Sequence, residues 1–266
     1  MIGTTVAGCT VERWVAASDH ATVFFARRNG APVALKLASR DASDPRASAR
    51  LAREAIALAR IEHPCVLPLL DAGLWSDGTP YVVTPWVAGD LLEDRLRGGR
   101  MSWPAIADAL AAIARGLRAL HATGVVHRDL KPSNVILPAG GDPVAIILDL
   151  GHAHVFGDLR ITQSGAAVGS LPYMAPEQLE GHALDHRADL YALGVILYRA
   201  LTGELPFEPI QLLRGARDLV PPRKRAPSAG ITPSAEDLCM WLLAVNPGDR
   251  LPSAAVLAVT LGAITH

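Results

Sequence analysis

His127-Arg128-Asp129-Leu130-Lys131-Pro132-Ser133-Asn134 gathers a carboxylate, an ammonium and an amide into one short polar stretch. Each of these groups suits phosphoryl transfer, which asks for positioning and charge neutralisation more than for covalent chemistry. Asp129 can take the proton of an attacking hydroxyl. Lys131, close by in the same stretch, can offset charge on a moving phosphoryl group. Asn134 offers a hard amide oxygen for Mg²⁺. The competing reading is a helix-to-strand connection that merely happens to carry polar residues. Composition argues against it, because lysine occurs only at Lys36, Lys131 and Lys224, and asparagine only at Asn29, Asn134 and Asn246. Chance placement of Lys36, Lys131 and Asn134 where this chemistry needs them is on the order of one in a million.

Working outward, Ala145-Ile146-Ile147-Leu148 reads as a short apolar strand ending in Asp149-Leu150-Gly151. A carboxylate at a strand end, followed by a permissive glycine, suits a metal that bridges phosphates. Alone, the Asp-Leu-Gly string is no more than a turn, and its weight comes from its place after Asn134. Upstream, Val33-Ala34-Leu35-Lys36 sets an isolated lysine in an apolar strand. An unpartnered buried ammonium is costly, so Lys36 should have an acidic neighbour. Glu54, in Arg53-Glu54-Ala55-Ile56, is the best candidate. A lysine snorkelling from an edge strand is the alternative for this string by itself.

The first part of the chain reads as short strands. Thr22 to Ala26, a turn at Arg28-Asn29-Gly30, and Pro32 to Leu37 form a hairpin pattern. Residues 45 to 61 switch to helical spacing, with Leu51, Ile56, Leu58 and Ile61 as the apolar stripe, and His63-Pro64 closes that helix. Apolar runs at Val66 to Leu70 and Tyr81 to Val87 read as two more strands. After Gly89 the spacing is largely helical, through Ile106 to Leu120, Leu190 to Leu197 and Leu238 to Val245. The expectation is an α+β chain with a small β-rich lobe, a boundary near Thr84 to Gly89, and a larger helical lobe. There is no internal repeat. Pro221 to Pro233 is the most loop-like stretch, and its Arg223-Lys224-Arg225 run reads as a solvated surface.

Composition narrows the class. The chain has 266 residues, half of them hydrophobic and 19% charged, enough to bury a sizeable core. A formal net charge of −1 gives no reason to expect nucleic acid or an anionic membrane as a partner. Cys9, Cys65 and Cys239 are scattered and odd in number, which argues for a reducing compartment and against a disulfide framework or a zinc site. No apolar run is long enough for a membrane span, and Met1-Ile2-Gly3-Thr4 lacks the pattern of a signal peptide. These features point to a soluble cytoplasmic protein, and the Ala- and Arg-rich usage to a GC-rich bacterial genome.

Taken together and in order, these motifs resemble the Hanks-type (eukaryotic-like) serine/threonine protein kinases, particularly the bacterial ones, over roughly Val11 to Leu257. The resemblance implies a single kinase domain over 1–266, two-lobed, with an N-lobe of about 1–86 that carries one regulatory helix. The hinge would lie at about 84–89 and the C-lobe at about 88–266. It implies ATP with Mg²⁺, Mn²⁺ being able to substitute. Lys36, paired with Glu54, would hold the α- and β-phosphates. Asp129 would be the catalytic base and Lys131 a γ-phosphate contact. Asn134 and Asp149 would ligate magnesium. Thr84 matches the gatekeeper and Val87 the hinge residue that bonds adenine, with Val23, Ala34 and Ile136 as further nucleotide-binding positions. Asp189 matches the anchor of the catalytic-loop backbone, and Glu177 of Ala175-Pro176-Glu177 would pair with Arg250. Leu58, Leu69, His127 and Leu150 would stack as the spine linking the lobes.

Lys131 and Gly169-Ser170-Leu171-Pro172-Tyr173 resemble the serine/threonine rather than the tyrosine branch, with Ser170 where threonine is usual. The implied partners are proteins bearing Ser or Thr, and a second copy of the chain for autophosphorylation. Arg128 before the catalytic aspartate suggests regulation by phosphate on Thr162 or Ser164, although both also fit as ordinary loop residues. The glycine-rich loop is where the pattern breaks. Ala16, Ser18 and Ala21 stand at its three glycine positions, and Asp19 brings a carboxylate near the tip. Either the loop is stiffer and ATP binds less tightly, or the chain is a pseudokinase acting as a binding module. A small-molecule phosphotransferase is a third reading, disfavoured by the Ala175-Pro176-Glu177 element.

Overall fold

The computed structural model describes residues 1–18, 20–39, 46–151, 153–155, 169–208 and 218–265. The chain divides into two compact units, Met1–Ala88 with Asp149–Ala153, and Gly89–Leu148 with His154–His266.

The first unit is built on a six-stranded antiparallel sheet. Its strands are β1 (Thr5–Val6), β2 (Cys9–Ala17), β3 (Ala21–Arg28), β4 (Ala31–Ala38), β5 (Asp71–Leu74) and β6 (Pro80–Pro85), in the order β1-β2-β3-β4-β6-β5. Asn29 and Gly30, with φ of 51° and 81°, make the β3–β4 turn, the left-handed pair that a two-residue hairpin demands. One sheet face buries Val11, Phe24, Leu35, Leu37 and Val83. Helix α1 (Ala47–Leu58) buries Ala47, Leu51, Glu54 and Leu58, a face of helical period. Ile56 falls off that face and is 51% exposed. The helix also stops short of Pro64, because Arg60 and Ile61 donate to the Ala57 and Leu58 carbonyls in tighter turns that send Ile61 into the core. The Val66–Leu70 run is not a strand. Val66 makes only an isolated bridge and Leu67 is buried in a loop, while pairing with β6 begins with the Leu70 N–H on the Val83 carbonyl and continues through Asp71–Leu74.

The second unit is mainly helical. Its first sheet has the order β10-β9-β7, made of β7 (Gly89–Leu91), β9 (Val135–Pro138) and β10 (Ile146–Ile147). A separate pair joins β8 (Val125–Val126) to β11 (His154–Val155). Gly89 is required where β7 crosses β9, because a Cβ there would run into the Leu137 carbonyl. Among the described residues the helices are α2 (Leu92–Arg97), α3 (Trp103–Ala122), α4 (Pro176–Leu179), α5 (Arg187–Thr202), α6 (Pro222–Arg225), α7 (Pro233–Leu242) and α8 (Ala254–Thr265). Helix α5 is buried continuously from Ala188 to Tyr198, as expected for a helix that is apolar all round. At Gly194 it packs so closely on α7 that a Cβ would lie 2.8 Å from that of Leu242. The Arg223-Lys224-Arg225 run lies in short helix α6 and is exposed.

The architecture is therefore α+β, a β-rich unit with one helix among its described residues and a mainly helical unit.

Candidate active site

Each unit carries a polar cluster. In the first, register sets the stage. Val23 opposes Lys36 and Ala34 opposes Thr84, and strand alternation puts all four on one face of the sheet. Lys36 Nζ donates to Glu54 Oε2 at 2.6 Å and to Asp149 Oδ2 at 3.1 Å. Burial alone would pull the Lys36 ammonium down, but Asp149 and Glu54 together hold it above its ordinary value. Glu54 is pushed up to about 7, first by burial and then by the Asp149 charge, with Lys36 opposing both. One cation shared by two carboxylates leaves one negative charge over, and Glu54 is the more buried of the two. The other Asp149 oxygen accepts the Gly151 N–H at 2.7 Å. Val87, the expected hinge residue, is half-buried.

The loop between β2 and β3 is tied by side chains rather than opened by glycines. Ser18 Oγ accepts from the N–H groups of His20 at 3.3 Å and Ala21 at 3.2 Å. The Ser18 N–H donates to the Ala21 carbonyl, and the Ser39 N–H to the His20 carbonyl. The His20 ring also meets Arg50 on α1. Asp19 lies outside the described residues, as do Thr162 and Ser164.

The second cluster is centred on Asp129. Lys131 Nζ lies 2.9 Å from Asp129 Oδ2 and donates to Ser170 Oγ at 2.7 Å. Asn134 Nδ2 donates to the Asp129 carbonyl at 2.8 Å. That leaves the Asn134 amide oxygen for another ligand. Ile136 is buried on β9, two residues beyond. The stretch 127–134 turns sharply because Arg128 takes a φ of 67°, a left-handed conformation unusual for a side chain of this size. Three contacts hold it there. Asp189 accepts the His127 N–H at 3.0 Å and the Arg128 N–H at 2.9 Å, while Gln178 Nε2 donates to the Arg128 carbonyl at 2.9 Å. His121 Nε2 adds a 2.8 Å contact to Asp189. Burial acts to raise the Asp189 carboxyl, but His121, His127 and the Arg128 amide hold it below the ordinary carboxylate range. Arg128 Nε is buried with no partner among the described residues. Burial lowers its guanidinium, and Asp189 acts against that.

Glu177 and Arg250 form a buried bidentate pair at 2.6 and 2.7 Å. Of the sequence-based candidates, Lys36, Glu54 and Asp149 thus cluster in one unit, and Asp129, Lys131, Asn134 and Ser170 in the other. His121 and Gln178 were not legible beforehand, since neither belongs to the polar stretch they support. Within its own unit each offers an oxygen of the kind a hard divalent ion takes, Asp149 a part-exposed carboxylate in the first and Asn134 an amide oxygen in the second.

A sequence model of the protein kinase domain matches residues 18–260. The chain belongs to the protein kinase family. It is 37% identical over 237 residues to Serine/threonine-protein kinase pkn3 of Myxococcus xanthus, covering 84% of this chain and 43% of that protein. It is 34% identical over 266 residues to Serine/threonine-protein kinase PknJ of Mycobacterium tuberculosis, covering 96% and 45%. Against Serine/threonine-protein kinase PknL of the same organism, identity is 33% over 241 residues, covering 88% and 59%. The chain thus spans only about half the length of these relatives. Among the described residues no helix is long and apolar enough to cross a membrane.

Proposed function

We propose that this chain is a single kinase domain that transfers the γ-phosphoryl group of ATP to serine or threonine hydroxyls of proteins, itself included. The observation that carries the reading is the Asp129–Lys131–Ser170 cluster, with its 2.9 and 2.7 Å contacts. Among the described residues, the one further side-chain contact to either charged group is Asn134 Nδ2, 3.5 Å from Asp129 Oδ2. Asp129 takes the proton of the acceptor hydroxyl, and Lys131 offsets charge on the transferred group. Ser170 orients Lys131. Lys36 binds the α- and β-phosphates, aligned by Glu54, and Val23, Ala34, Thr84, Val87 and Ile136 bind the nucleoside.

Asp149 and Asn134 would hold Mg²⁺ or Mn²⁺, which when bound would supply positive charge to offset that of the phosphates. Proteins rather than small molecules are the acceptors, in keeping with Ala175-Pro176-Glu177 and its partner Arg250 and with the names of the relatives. Regulation works through phosphate on Thr162 or Ser164 pairing with Arg128, and a second copy of the chain delivers it. The setting is a bacterial cytoplasm.

Labelled ATP with a generic basic protein, set beside a panel of small hydroxylated acceptors, tests this reading. Transfer to protein Ser or Thr is expected, and Asp129→Asn should lower it by about 10²–10⁴. Transfer confined to small molecules, or an Asp129→Asn variant with undiminished rate, contradicts it.

A further inference from the structure

Tyr173 is held by two charged residues that no motif marks. Its hydroxyl accepts a hydrogen bond at 2.8 Å from Arg199 Nη1, on α5. The same guanidinium grips both carboxylate oxygens of Glu93, on α2, from Nη1 at 2.8 Å and Nη2 at 3.0 Å. Side-chain exposures of 17% for Arg199 and 19% for Glu93 make this a largely desolvated pair. Exposed Arg97 adds a weaker contact to Glu93 at 3.4 Å. Only an arginine can serve a carboxylate bidentately and still present a further N–H to a phenol, since its donors are arrayed in a rigid planar fork.

What Arg199 fixes is more than one ring. Tyr173 is buried and closes the single turn Leu171–Tyr173, whose N–H donates to the Ser170 carbonyl at 3.0 Å. Pro172, inside that turn, locks its own φ and leaves the link little freedom. Holding Tyr173 therefore holds Ser170, and Ser170 Oγ is the 2.7 Å partner of Lys131, which in turn holds Asp129. A continuous path of hydrogen bonds and one rigid turn runs Glu93–Arg199–Tyr173–Ser170–Lys131–Asp129. All of these residues lie in the second unit.

We infer that Arg199 is a positioning residue for the transfer step, acting through Tyr173 on Ser170 and so on the Lys131–Asp129 pair. The inference rests on the reading of Asp129 and Lys131 as the groups that act on the acceptor hydroxyl. The described contacts of Arg199 run to Glu93 and Tyr173, and none to the residues read as nucleotide-binding, so its effect should appear in kcat and not in the KM for ATP.

Steady-state kinetics of Tyr173→Phe, Arg199→Lys, Arg199→Ala, Ser170→Ala and the double variant Ser170→Ala/Tyr173→Phe provide the test. Tyr173→Phe removes one hydroxyl and keeps the Arg199–Glu93 pair, so it remains informative if Arg199→Ala strands Glu93 and fails to fold. Its kcat should fall about tenfold, the worth of one hydrogen bond to a charged group, while the KM for ATP stays within about twofold. Arg199→Lys should lose as much or more. The double variant should lose no more than Ser170→Ala alone, because both changes cut the same path. Full kcat in Tyr173→Phe overturns the inference, as do fully additive losses in the double variant. A wild-type protein that transfers nothing overturns instead the reading of Asp129, and this inference with it.

Discussion

Arg250 offers the sharpest test of how the second unit is held together. All five of its N–H donors are used. Nε donates to the Ala244 carbonyl at 2.8 Å, Nη1 to Glu177 at 2.6 Å and the Arg187 carbonyl at 3.0 Å, and Nη2 to Glu177 at 2.7 Å and the Val245 carbonyl at 3.0 Å. The guanidinium also lies 5.0 Å from the Tyr191 ring, and the side chain is 0% exposed. Arg250→Lys keeps the charge but brings three donors to five acceptors, so at least two acceptors lose their partner. At about 1.5 kcal/mol for each of the two stranded groups, the loss is about 3 kcal/mol. For a chain of this size that lowers Tm by about 6–12 °C.

Arg250→Ala strands the buried Glu177 carboxylate as well and should cost about 3–5 kcal/mol. Removing both charges with Glu177→Met/Arg250→Met leaves only backbone carbonyls unpaired, so the double variant should be more stable than Arg250→Ala alone. Equilibrium urea unfolding followed by circular dichroism reads all three. An Arg250→Lys protein within about 0.5 kcal/mol of wild type would refute the reasoning, because five donors would then be worth no more than three.

The loop between β2 and β3 is testable through the nucleotide. Ser18 Oγ occupies the His20 and Ala21 N–H groups, so Ala16→Gly with Ser18→Gly should free both and relax the backbone, lowering the KM for ATP by about three- to tenfold. An unchanged KM would show that the alanine and serine are harmless there. Asp189 sets an acid limit. Its carboxyl is held below the ordinary range, so its contribution is fully present above the unfolded value near about 3.9 and fades as pH falls through the lower folded value. Asp189→Asn should therefore be less stable than wild type at pH 7 by about 3 kcal/mol and converge with it in strong acid. A gap that persists unchanged at low pH would contradict this. Lys36→Met should weaken ATP binding in a calorimetric titration, and retained affinity would mean that Lys36 serves only the fold.

What the sequence made legible follows from how locally each feature is encoded. Asp129, Lys131 and Asn134 lie within one turn of chain, so their chemistry shows in the string itself. The pairing of Lys36 with an acid follows from the cost of a lone buried ammonium, and Glu54 lies on the buried face of α1. The start of the chain was harder. β2 has two bulges, between Val11 and Arg13 and between Trp14 and Ala16, so its burial loses alternation and Glu12, Arg13 and Trp14 are all exposed. β5 has only Asp71-Ala72-Gly73-Leu74 to announce it, an edge strand recruited by β6 rather than by its own propensity. Ile56 reads as core by hydropathy, but the face of α1 is set by Leu51 and Glu54. The His121–Asp189, Gln178–Arg128 and Arg199–Glu93 contacts each join residues 50 or more positions apart, and no spacing rule reaches that far.

Incubation of the purified protein with Mg²⁺ and ATP, followed by phosphosite mass spectrometry beside an Asp149→Ala control, tests the central claim most directly. Phosphate is expected on Ser or Thr residues of the wild type, Thr162 or Ser164 among them, and none on the control. Wild-type protein that binds ATP yet phosphorylates neither itself nor a generic acceptor would contradict it and leave a nucleotide-binding module in place of an enzyme.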